Sequence, residues 1–104
     1  MLAACGVQLA PRRADSEANV RMARSAIGAA AAEGARLIVF PEASLTGYVF
    51  HDKESARQAA LDEGGPELVQ VADECRAADA WAVVGAIERV GDLLHNSLFL
   101  VGPD

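Results

Sequence analysis

Of the residues in this chain able to do acid–base, nucleophilic or metal chemistry, Glu42 has the most constrained position. It follows Leu37-Ile38-Val39-Phe40-Pro41, a run of large apolar residues closed by a proline. Such a run, bounded by a breaker, reads as a strand buried on both faces. Pro41 has no N–H with which to continue a ladder. Glu42 is thereby placed just past a strand's carboxyl end, where open α/β sheets bind their ligands. A carboxylate there is placed to serve chemistry, and it is equally able to accept backbone hydrogen bonds in a loop or to face water. Position alone leaves these roles open.

The other reactive side chains are less well placed. Cys5 falls inside an apolar run and Cys75 on the apolar side of a helical pattern. Those surroundings raise a thiol pKa and favour inert packing, so neither is expected to be a nucleophile. Lys53 stands in the charged stretch His51-Asp52-Lys53-Glu54 and reads as a solvated surface charge. Glu88 closes a third apolar run, either as a second carboxylate near the site or as an exposed acid entering a hairpin turn. Tyr48 either lines a pocket beside Glu42 or covers the strand's end as a half-buried ring. Asn96 is expected to satisfy backbone groups nearby. His51 and His95 lack partners at metal-ligand spacing, and no metal is expected. Gly64-Gly65-Pro66 lacks the lysine and the strand-to-helix setting of a phosphate loop, and no cofactor is implied.

The elements that must hold Glu42 follow from pattern. Leu2 to Leu9 suits a short interior strand ended by Pro11. A helix capped by Asp15 or Ser16 follows, with Glu17 on its positive end and Gly34 placed to stop it. Its small residues, Ala26 and Gly28 to Ala32, suit close approach to a sheet. With the Glu42 strand this makes a βαβ unit with a right-handed crossover. After a loop holding at most one short helix, Pro66 opens a helix with Leu68, Val71, Ala72, Cys75 and Ala78 on one face. Trp81–Ile87 and Leu93–Val101 read as an antiparallel hairpin, with Glu88–Asp92 as its turn.

The chain has 104 residues, 52% of them hydrophobic, and carries a net charge of -6. That suffices for one domain with a core. The acidic surface makes nucleic acid a poor partner. The start lacks the basic segment and the apolar stretch of roughly 7–15 residues that make a secretory signal. No run approaches the ~18 apolar residues of a membrane span. A soluble, unprocessed cytoplasmic chain is the expectation.

Pro41-Glu42 followed by Thr46-Gly47-Tyr48 resembles the glutamate motif of the nitrilase, or carbon-nitrogen hydrolase, superfamily. Gln8-Leu9-Ala10-Pro11, Glu17 and Asn19, Gly34-Ala35, Val83-Val84-Gly85 with Glu88, and Asn96-Ser97 before Gly102-Pro103-Asp104 follow that family's order along the whole chain. His95 departs from it, standing where a tyrosine is common.

The resemblance implies an α/β fold, part of a four-layer αββα sandwich with a mixed sheet and flanking helices, assembled into homo-oligomers. It implies hydrolysis of a small-molecule amide or nitrile by a Glu-Lys-Cys triad, amides being the commoner substrates in the superfamily. Glu42 matches the general base, and Tyr48 the aromatic that shapes the substrate site. The family's lysine and cysteine lie beyond the Gly-Pro-Asp turn, so residues 1–104 are expected to be the N-terminal part of a single truncated domain, inactive alone. The competing expectation is a non-catalytic half-domain acting as a binding or assembly module through an exposed sheet edge.

Overall fold

The computed structural model describes residues 2–104. Seven elements follow one another: β1 (Ala4–Gly6), α1 (Ser16–Ala32), β2 (Leu37–Val39), α2 (Lys53–Ala59), α3 (Pro66–Ala78), β3 (Trp81–Val90) and β4 (Leu93–Val101). They form one sheet in the order β1-β2-β3-β4. The first three strands run parallel and β4 returns antiparallel to β3. The mixed α/β architecture is the one expected.

α1 begins where its sequence provides a cap: Asp15 Oδ1 accepts from Ala18 N at 3.1 Å, satisfying one of the free donors of the first turn. Its buried side, Val20, Ala23, Ile27 and Ala30, meets Leu68, Val71 and Cys75 of α3 and Ile38, Ala82, Val84 and Ala86 of the sheet in a single core. The short side chains of α1 face α3 as well as the strands. Gly28 lies against Glu74, and Arg24 Nε donates to Glu74 Oε1 at 3.1 Å. Pro66 opens α3 at its first turn.

Both helices of this core lie on one side of the sheet, which corrects two expectations. β2 is buried on one face only: Ile38 is fully buried whereas Val39 is 39% exposed. β1 is shorter than Leu2 to Leu9 and forms an edge of the sheet, extended by one bond from Val7 N to Val39 O of 2.8 Å. On the uncovered face Trp81, Leu98 and Leu100 stand exposed beside Val39, the parity of the β3–β4 register placing Val83 opposite Leu100 and Gly85 opposite Leu98. Residues 2–104 thus supply one helical layer and one sheet layer.

The hairpin turn is also tighter than Glu88–Asp92. β3 runs on to Val90, leaving Gly91-Asp92 as a two-residue turn with Gly91 at φ +59°. Its outer end is held in extended form by Leu61, which donates to Ile87 O and accepts from Arg89 N, both at 2.8 Å. Among the described residues, no helix is long and apolar enough to cross a membrane.

Candidate active site

β2 stops early, and the segment after it takes over the edge of β3. Phe40 N still donates to Val83 O at 2.8 Å. The chain then leaves the ladder at Pro41, and Leu45 N reaches Gly85 O at 2.9 Å. Two hydroxyls serve as the missing strand acceptors: Ser44 Oγ accepts from Gly85 N and Thr46 Oγ1 from Ile87 N, each at 3.0 Å. Both side chains are fully buried, and Thr46 Oγ1 donates to its neighbour's carbonyl, Gly47 O, at 2.9 Å. The backbone polar groups of β3 are satisfied by a turn instead of a strand.

Two close approaches fix that turn in place. A Cβ on Gly85 would stand 2.5 Å from Ala43 N and 3.0 Å from Pro41 O. A Cβ on Gly47 would stand 2.7 Å from Arg13 Cα, and Gly47 has φ +77°. Ala43 itself is left-handed at φ +54°, a conformation that costs an ordinary residue about 1–2 kcal/mol. Behind the turn, Asn19 of α1 is buried, with Nδ2 donating to Leu45 O at 3.0 Å and to Arg12 O at 2.7 Å, while Oδ1 accepts from Arg12 N at 2.7 Å. One amide therefore binds the helix, the β1–α1 connection and the Glu42 turn together.

Glu42 rides on this braced turn with its side chain exposed. Its Oε1 accepts a hydrogen bond from Asn96 Nδ2 of β4. Asn96 therefore meets the carboxylate, contrary to the expectation that it would serve backbone groups. Beside Pro41 a groove of about 520 Å³, lined by Gly6, Val7, Gln8, Val39, Phe40 and Pro41, opens past the carboxyl ends of β1 and β2.

Among the described residues, none of the remaining candidates hydrogen-bonds to the Glu42 carboxylate. Glu88 is a strand residue, not a turn residue, and its Oε1 accepts from Ser97 Oγ at 2.8 Å. Ser97 and Asn96 are successive on β4 and so project to opposite faces, which separates Glu88 from Glu42. Tyr48 is 56% exposed, more open than a half-buried ring. Lys53 is exposed at the start of α2. His51 borders a separate hollow of about 430 Å³ with Arg13, Phe50 and Ser55. Cys75 is fully buried, and burial, with a lesser push from Glu74, raises its thiol above the ordinary value. Cys5 is half-buried against the core.

Ser44, Gly85 and Asn19 do the positioning, and residue pattern gave none of them that role. Asn19 had a signal: a polar residue one helical turn before Ala23 and two before Ile27, on the buried side of α1.

The family model for carbon-nitrogen hydrolases matches residues 2–104. The chain belongs to the carbon-nitrogen hydrolase family. Among relatives, it is 34% identical over 98 residues to a protein named nitrilase from Pyrococcus abyssi, covering 93% of this chain and 37% of that protein. It is 30% identical over 105 residues to nitrilase 1 of Arabidopsis thaliana, covering 86% and 30%. Its fold matches the crystal structure of an N-terminal amidase with an Asn-Glu-Ala peptide at a TM-score of 0.77 and 22% identity, covering 94% of this chain and 24% of that one. This carbon-nitrogen hydrolase chain thus spans well under half the length of the relatives it matches.

Proposed function

We propose that this chain supplies the general base of a hydrolase that cleaves carbon–nitrogen bonds other than peptide bonds in small amides or nitriles. The observation that carries the reading is the Glu42 carboxylate, held by Asn96 on a braced turn beyond the end of β2, in a chain that matches the family from end to end. Glu42 is the base, and the lysine and nucleophilic cysteine come from sequence following residue 104. Tyr48 contributes an aromatic surface to the substrate site. The proteins it resembles bear names of both kinds, nitrilase in one case and amidase in another.

Each partner answers a need of the chemistry. A thiol with pKa ~8.5 is mostly protonated at neutral pH, so Glu42 takes its proton as the sulfur attacks the amide carbon. The lysine stabilises the oxyanion that forms. On collapse the C–N bond breaks, the proton passes from Glu42 to the departing nitrogen, and ammonia or an amine leaves behind a thioester. Water, deprotonated by Glu42, then attacks the thioester, releasing the acid and returning the thiol. No step requires a cofactor. Homo-oligomerisation of the complete protein belongs to the same reading.

The exposed apolar sheet face favours the competing reading, a catalytically inactive assembly module. Purified complete protein assayed for ammonia release from a panel of amides and nitriles separates the two. Turnover by the complete protein, with none from residues 1–104 alone, is the expected result. Full activity of the 104-residue chain, or none from a folded complete protein on any member of the panel, would contradict it.

A further inference from the structure

The turn that carries Glu42 is fixed at its backbone by Ser44, Leu45, Thr46 and Asn19, but none of those bonds reaches the carboxylate. The side chain is exposed and has rotatable bonds of its own. Among the described residues its one hydrogen-bond partner is Asn96, which approaches from a different element, β4, opposite Ile87 in the register. We propose that Asn96 is a positioning residue for catalysis: it clamps Glu42 Oε1 so that Oε2 is left free as the proton-accepting atom.

The chemistry of the pair suits that task. An ionised carboxylate only accepts hydrogen bonds, so the amide must present its NH2 end. A donor with no acidic proton holds the carboxylate without competing for the proton it collects. The clamp also spans two elements. The backbone of β4 is locked to β3 through the nine register pairs from Ala82↔Val101 to Val90↔Leu93, and the turn is separately bonded to the same β3. Both ends of the Asn96–Glu42 contact are therefore referred to one strand, the rigidity that proton transfer at hydrogen-bond range requires. The neighbouring Ser97 makes the parallel contact to Glu88 on the far face, so the Asn-Ser pair of β4 fixes two carboxylates, one on each side of the sheet.

This inference rests on the reading of Glu42 as general base, and two measurements on the complete protein separate them. In Asn96→Leu and the isosteric Asn96→Asp, kcat should fall about 10- to 100-fold with KM within about threefold, the pattern of an interaction lost from the reacting geometry. Wild-type kcat in folded variants would overturn the proposal, and if Asn96→Leu fails to fold, Asn96→Asp decides. Independently of turnover, one side-chain amide proton of Asn96 should resonate downfield by NMR and move upfield in Glu42→Ala. An Asn96 amide signal indifferent to Glu42→Ala would overturn the clamp. A wild-type protein without turnover would refute the hydrolase reading while the amide signal still decides the contact.

Discussion

Thr46 shows how much of the site depends on one hydroxyl. It receives the Ile87 N–H and donates to Gly47 O within a fully buried setting. Thr46→Val keeps the shape and removes both bonds, leaving the partly buried Ile87 N–H unpaired, so urea unfolding should show a loss of about 1–3 kcal/mol. Thr46→Ser should recover most of it. Cys75 is the opposite case, a reactive atom shut inside the core. Its thiol is fully buried and held neutral, so Cys75→Ala in the complete protein should leave kcat unchanged and only lower the melting temperature. Cys75 was legible from helical spacing, because a position on an apolar stripe predicts burial. Asn96 was not, because sequence gives no indication that a loop carboxylate and a strand amide 54 positions apart meet.

The turn and β3 are built for each other. Gly85→Ala would set a methyl 2.5 Å from Ala43 N, and backbone cannot yield as a flexible side chain does. The turn must move, so this smallest of substitutions should lower kcat in the complete protein at least tenfold and cost about 1–3 kcal/mol by denaturation. Further along β3, Arg89 donates to both oxygens of Asp62, at 3.0 and 2.9 Å, and that bond lowers the Asp62 pKa below its ordinary 3.8. A carboxyl whose folded pKa is depressed contributes stability above its unfolded value and loses it as pH falls through the folded one. Asp62→Asn should therefore flatten the stability profile below about pH 4, measured by denaturation between pH 2 and 5. Periodicity and punctuation made α1, α3 and the hairpin legible: Asp15, Pro66 and Gly91 stand at their ends. The length of β3 was hidden because Leu61, a loop residue without any strand pattern around it, holds its outer end.

The chain's two sheet faces differ in kind. One packs its Ala82, Val84 and Ala86 against the buried residues of α1 and α3, while the other leaves Leu98 and Leu100 about two-thirds exposed together with Val39 and Trp81. Apolar surface gathered in this way favours association, so residues 1–104 expressed alone should self-associate in sedimentation velocity, and Leu98→Lys with Leu100→Lys should shift them towards monomer. β2 was expected to be buried on both faces because an unbroken apolar run is what a strand between two layers requires; the run is apolar, but a layer covers only its Ile38 face and Val39 stands exposed. On the open face Asn96 donates to the Glu42 carboxylate. The most direct test of that arrangement is Glu42→Gln, which keeps size and the contact with Asn96 while removing the base. In the complete, folded protein kcat on the preferred amide or nitrile should fall about 100- to 10,000-fold, the ordinary worth of a general base, with the melting temperature nearly unchanged. Turnover within a few-fold of wild type would show Glu42 to be a structural acid and would contradict its assignment as the base.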